Sequence, residues 1–83
     1  MSHTVYIVEC SDKTLYTGTA AHVAERIREH NKTTAGAKYT RARRPVVLVY
    51  TEVLPTLSAA RKREVKIKRL SRKEKLNLLI GCK

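Results

Sequence analysis

Five side chains in this 83-residue chain are of the types that phosphate chemistry uses. Glu64 is the most unusual of them. From Leu57 to Leu70 the apolar residues recur at the helical period, and Ala60 and Ile67 flank Glu64 at i−4 and i+3. A carboxylate on the inward side of a helix is costly unless it is paired, hydrogen-bonded or metal-bound. An ion pair with Arg61 or Lys68, both within helical reach, would satisfy it structurally. A role as hard oxygen ligand for Mg²⁺ or Mn²⁺, facing a phosphate, would satisfy it functionally. Arg26 and His30 stand four apart on an earlier helical stretch, so their side chains emerge together. Arg26 suits a bidentate clamp on phosphate. His30 suits phosphate donation or proton movement, and equally a hydrogen-bonded place in the core. Tyr6 and Tyr16 fall on adjacent strands of a proposed hairpin, nearly opposite each other, where packing with a wet hydroxyl competes with a catalytic use. His3 and His22 have no evident partners and read as surface residues.

These residues need a scaffold, and the pattern supplies one. Thr4–Glu9 reads as a strand rich in β-branched residues. Ser11-Asp12-Lys13 is turn chemistry, and Leu15–Thr17 returns as the partner strand. Gly18 marks a break and Thr19 a helix N-cap. Val23, Ile27 and His30 then follow at i, i+4 and i+7 in a helix over Ala20–His30, with Asn31 at its exit. A fifteen-residue connection runs from Asn31 to Pro45. The nearly continuous apolar run Val46–Val53 suits a buried central strand. Pro55-Thr56 ends it, a helix covers Leu57–Leu70, and Ser71–Glu74 spells a capping box for a last helix. Leu76, Leu79 and Ile80 form that helix's inward face, and Gly81 terminates it. The expected architecture is α+β: a single domain over residues 1–83, with a small antiparallel three-stranded sheet flanked by helices in the order β-β-α-β-α-α.

Composition narrows the class. Apolar residues make up 42% of the chain, enough for a globular core. The longest apolar run, Val46–Tyr50, cannot span a bilayer. No secretory or lipidation pattern is evident, and Cys10 and Cys82 lack metal spacing, so a reduced cytoplasmic protein without membrane association is expected. The net charge of +11 is uneven: residues 1–31 carry −1 and residues 32–83 carry +12. Such asymmetry is the electrostatic footprint of a polyanion partner, most often nucleic acid. Lys38, Tyr39, Arg41, Arg43 and Arg44 in the long connection, together with Lys68, are the candidate contacts.

Taken together, these positions resemble the GIY-YIG nuclease domain, in particular its small stand-alone members. Thr4-Val5-Tyr6 keeps the tyrosine of the first motif, and Tyr16-Thr17-Gly18 keeps the tyrosine and glycine of the second. Arg26 and His30 have the spacing the family uses on its first helix, and Glu64 lies where the family places its metal-binding glutamate. Thr4 and Thr17 replace the motifs' glycine and isoleucine. The resemblance implies metal-assisted phosphodiester hydrolysis. Tyr6 would act as general base or orient the attacking water. Tyr16 would hydrogen-bond the phosphate or that water, Arg26 would neutralise charge growing on the phosphate, and Glu64 would hold one Mg²⁺ or Mn²⁺. A phenol with an ordinary pKa near 10 serves as a base only if cations favour its phenolate, with Lys38 and the metal as candidates. Gly18 would let the chain turn from strand to helix without a Cβ clash. Tyr39, or else Lys38, matches a further polar position of the family, and Asn77 a late asparagine. The expected activity is that of a divalent-metal-dependent endonuclease on DNA, on structured or damaged substrates. The alternatives are a catalytically weak or inactive module binding DNA or RNA, and an adaptor for an acidic protein.

Overall fold

Val5, Tyr6, Ile7 and Val8 are consecutive and all buried, so the strand that carries them must be covered on both faces. Strand β1 (His3–Glu9) is accordingly the middle of the sheet. It pairs antiparallel with β2 (Leu15–Ala20) on one side and β3 (Val47–Leu54) on the other. The computed structural model describes residues 2–32 and 43–81. Three helices complete the described elements: α1 (Val23–Lys32), α2 (Leu57–Lys68) and α3 (Arg72–Gly81). The element order β-β-α-β-α-α is the expected one.

Alternation along the strands sorts side chains into two layers. Val5, Ile7 and Tyr50 pack on Ala60 and Ile67 of α2, with Leu78 and Leu79 of α3 against them. Tyr6, Val8, Cys10 and Val46 form the other layer, with Tyr16, Val23 and Ile27 packed against it. Each fully buried aliphatic side chain contributes roughly 1.5–3 kcal/mol.

Turns and caps follow local chemistry. Asp12 Oδ1 accepts from the Thr14 amide at 3.1 Å and its hydroxyl at 2.6 Å, while Lys13 takes a left-handed φ of 70°. Ser71 and Glu74 form the capping box reciprocally, at 2.9 and 3.2 Å. Thr56, expected only to end a strand, is also the N-cap of α2 and accepts from the Ala59 amide at 3.1 Å.

Several expectations need correction. The apolar run Val46–Val53 is an edge strand, not a central one: among the described residues β3 pairs only with β1, and Val47 and Val53 are 60% and 68% exposed. An apolar run signals burial of some faces, but neighbours in the sheet decide which strand lies in the middle. A bulge between Ile7 and Val8 also breaks the β1–β3 register. Gly18 does not end a strand, and Thr19 does not cap a helix. Both lie within β2, where Gly18 faces Tyr6 and Thr19 faces Val5, and α1 starts at Val23. Pairing with β1 carries the extended conformation past the glycine. Asn31 lies inside α1 rather than at its exit. Leu76 is 38% exposed, and Leu78 takes the inward position expected of it. The side chain of Ile80 lies outside the described residues. His3 is half-buried rather than a surface residue, while His22 is exposed.

Candidate active site

The floor of the site is a buried pair. Tyr6 and His30 are 1% and 0% exposed, and Tyr6 Oη lies 2.8 Å from His30 Nε2. The helical spacing of Val23, Ile27 and His30 places the imidazole against the sheet, where the inward-facing phenol meets it. Burial, reinforced by the charges of Arg26 and Arg44, holds the His30 pKa below its ordinary value. At neutral pH the imidazole is therefore uncharged, and the tautomer protonated on Nδ1 would leave Nε2 to accept from the phenol. Burial pushes the Tyr6 pKa up to about 12, and a hydrogen bond from Arg26 offsets it only in part.

Gly18 makes room for this pair. It is Tyr6's cross-strand partner, and a Cβ built on it would lie 2.6 Å from Tyr6 Oη and 2.8 Å from Cζ. The glycine is required for close approach, and its φ is not left-handed.

Tyr16 stands on the same sheet face as Tyr6, two positions along the hairpin. Its pairing partner is Val8, so the two tyrosines are diagonal rather than opposite. Both rings meet His30 edge-on, with centroids 5.9 Å away for Tyr6 and 5.5 Å for Tyr16. Arg26 reaches the Tyr6 hydroxyl and also donates to Glu29 Oε1 at 3.2 Å. Glu29 was not anticipated, although its i+3 spacing from Arg26 is a helical signal.

Glu64 comes from the other side of the fold, on α2. It is 21% exposed and bonds Lys68 Nζ at 2.7 Å, and that ammonium also stands 6.0 Å from the Tyr16 ring centroid. Tyr6, Tyr16, Arg26 and His30 thus gather in one place from β1, β2 and α1, and Glu64 on α2 is linked to them through the Lys68 ammonium beside the Tyr16 ring.

The remaining candidates fare differently. Lys38, Tyr39 and Arg41 lie outside the described residues. Arg43 Nε donates to Asp12 Oδ2 at 3.0 Å, tying the chain to the hairpin turn, where the Ser11 amide also donates to the Arg43 carbonyl at 2.9 Å. Arg44 donates to the His30 carbonyl. Asn31 was not anticipated: its side chain makes two bonds to the backbone of Val46, at 3.0 and 2.7 Å. No spacing rule signals a contact fifteen residues away. Together these bonds fix the C-terminal end of α1 and hence the His30 position. Asn77 is exposed on α3.

The donor set bears on metal binding. Among the described residues no three His, Cys, Asp or Glu side chains come together. A closed, all-protein metal cage is therefore not what these residues form. One half-buried carboxylate fits a hydrated hard cation that takes its other ligands from water and substrate phosphate. The Lys68 ammonium now stands against Glu64 as such a cation would, and exchanging a partly exposed helical pair costs only about 0.3–0.5 kcal/mol.

Fold and site together define a small α+β domain in which tyrosine, histidine and arginine side chains cluster, with a glutamate linked to them through Lys68. The family described as the GIY-YIG catalytic domain matches residues 2–77, and the chain belongs to it. A UPF0213 protein of Syntrophus aciditrophicus is 56% identical over 75 residues, covering 90% of this chain and 86% of the relative. One from Staphylococcus aureus is 55% identical over 78 residues, 94% of each chain. The solution NMR structure of a UPF0213 protein from Bacillus halodurans matches with a TM-score of 0.61 and 44% identity, over 95% of this chain and 83% of that one. A second NMR structure, of a protein from E. faecalis, gives 0.66 and 38%, over 98% and 85%. Membership points to the nuclease family and to a nucleic-acid partner, and GIY-YIG nucleases generally use divalent metals. Among the described residues no helix is long and apolar enough to cross a membrane.

Proposed function

We propose that this protein is a divalent-metal-dependent endonuclease that hydrolyses DNA phosphodiester bonds, acting in the cytoplasm on structured or damaged DNA. The observation that carries the reading is the clustering of Tyr6, Tyr16, Arg26 and His30 from three separate elements, with Glu64 of a fourth joined to it through Lys68.

With a Tyr6 pKa of about 12, the phenolate fraction at pH 7 is roughly one in 10⁵, too small for Tyr6 to act as a preformed base. The neutral imidazole behind it resolves the difficulty. As water attacks phosphorus, its proton passes to the Tyr6 oxygen while the Tyr6 proton passes to His30 Nε2. The P–O bond to the leaving oxygen breaks, and that oxygen is protonated from solvent. His30 holds the proton until it too returns to solvent. Arg26, anchored by Glu29, sets its charge beside the reacting phosphate, where electrostatic stabilisation has most effect. Tyr16 hydrogen-bonds the phosphate or the water. Glu64 would hold Mg²⁺ or Mn²⁺, which supplies Lewis-acid stabilisation of phosphate charge when bound.

The test is cleavage of branched, nicked and single-stranded DNA with Mg²⁺ or Mn²⁺, comparing the wild type with Glu64→Ala and Arg26→Ala. Metal-dependent scission by the wild type, lowered at least about 100-fold in each variant, is expected. No scission by the wild type, or an equally active Glu64→Ala protein, overturns the proposal.

A further inference from the structure

Helix α2 carries a second feature, on the side away from its buried face. At 100° per residue, Arg61, Lys62, Lys66 and Arg69 fall within one arc of about 140°. All four are exposed. The arc is centred opposite Ala60 and Ile67, the two residues that α2 buries. It contains no acidic residue. The only carboxylate on the helix, Glu64, lies outside the arc and is occupied by Lys68. Arg63 also lies outside it, spent on Glu52 at 3.1 Å. Among the described residues none of the four stripe cations is in an ion pair.

Four like charges along one helix repel each other, and a solvated face of an ordinary domain normally intersperses signs. The stripe also borders the candidate site: its edge residue Arg61 stands one turn before Glu64, and Lys68, outside the arc, one turn after it. From Arg61 to Arg69 the helix rises about 12 Å. One DNA strand presents a phosphate about every 3.4 Å of axis, so this length matches three or four successive phosphates.

The kind of nucleic acid follows from what accompanies the cations. Single strands are held by stacking bases on exposed aromatic rings. The stripe offers none: Val65 is its one large apolar residue. Among the described residues the tyrosines are Tyr6 and Tyr50, both buried, and Tyr16, half-buried against His30. The stripe can grip a phosphate backbone, and it has no rings on which to stack bases.

We infer that the outward face of α2, through Arg61, Lys62, Lys66 and Arg69, holds the phosphate backbone of duplex DNA beside the Glu64 site, without reading sequence. This rests on the nuclease reading for the position of the scissile phosphate, but binding is measured apart from cleavage. The experiment is fluorescence anisotropy of a labelled 20-bp DNA duplex with the full chain in EDTA, at 50–200 mM KCl. Wild type is compared with Lys62→Ser/Lys66→Ser, with Arg61→Ser/Arg69→Ser, and with Lys13→Ser on the hairpin as a control. All are surface changes, and a thermal melt of each verifies the fold.

Each stripe double is expected to raise Kd at least about tenfold and to flatten the slope of log K against log salt by about 1.8, two contacts at 0.9 each. Lys13→Ser is expected to stay within about twofold, and the single strand to bind more weakly than the duplex. Stripe doubles within twofold of wild type overturn the inference, as does tighter binding of the single strand or of duplex RNA. A wild type that cleaves DNA while its stripe variants bind normally overturns this inference alone. A wild type that binds through the stripe and never cleaves overturns the nuclease reading alone.

Discussion

Substituting Gly18 by alanine tests the most crowded contact in the site. The new Cβ would lie 2.6 Å from Tyr6 Oη, 2.8 Å from Cζ and 3.2 Å from Cε2. A free side-chain tip would swing away, but Tyr6 is 1% exposed, packed among Val8, Cys10 and Val46, and bonded to His30. Overpacking of a filled core costs about 1–3 kcal/mol, and losing the Tyr6–His30 bond adds about 1 kcal/mol. Removing a flexible glycine from a strand returns about 0.5–1 kcal/mol. The net expectation is a loss of about 1–3 kcal/mol, read as a lower urea midpoint at unchanged m. Tyr6→Phe deletes the nearest atom and leaves Cζ, so the Gly18→Ala/Tyr6→Phe double should show a coupling of about 1 kcal/mol in a double-mutant cycle. A Gly18→Ala protein as stable as wild type, with no coupling to Tyr6, would refute the reasoning.

Three further outcomes are expected. Thr17 is 3% exposed, and its hydroxyl has no hydrogen-bond partner among the described residues, so Thr17→Val should stabilise the fold by about 1 kcal/mol, raising Tm by about 4–8 °C. Asn31→Ala removes both bonds to the Val46 backbone and should cost about 2–3 kcal/mol by denaturant titration. Because His30 has a lowered pKa in the fold, the unfolded chain takes up that proton first as pH falls below about 6.5. Stability should therefore drop from pH 7 towards pH 5, and His30→Gln should flatten that drop when urea midpoints are compared across the range.

The elements were largely legible because their signals are local. β-branched residues located β1, helical periodicity located α1 and α2, and the Ser71–Glu74 spacing marked the start of α3. Local signals failed where tertiary partners decide. Gly18 reads as a break until its strand partner is known to be Tyr6, and the apolar β3 reads as central until β1 is seen to lie between it and β2. The site shows the same division. Arg26 and His30 are grouped by helical spacing, and Glu64 stands out as a carboxylate between Ala60 and Ile67. The contacts that hold the cluster span long stretches of chain: Tyr6 to His30 over 24 residues, Asn31 to Val46 over 15. No pattern in the sequence reports that His30 is uncharged or that Tyr6 holds its proton so firmly, because both follow from burial.

The most direct measurement is single-turnover cleavage of a nicked or branched DNA by wild type, Arg26→Ala, Glu64→Gln and the double variant, at saturating protein with Mn²⁺. If the cluster acts as one unit, each single variant loses at least about 100-fold and the double is little worse than either. Equal rates in all four proteins, or no metal-dependent cleavage by the wild type, would contradict the assignment.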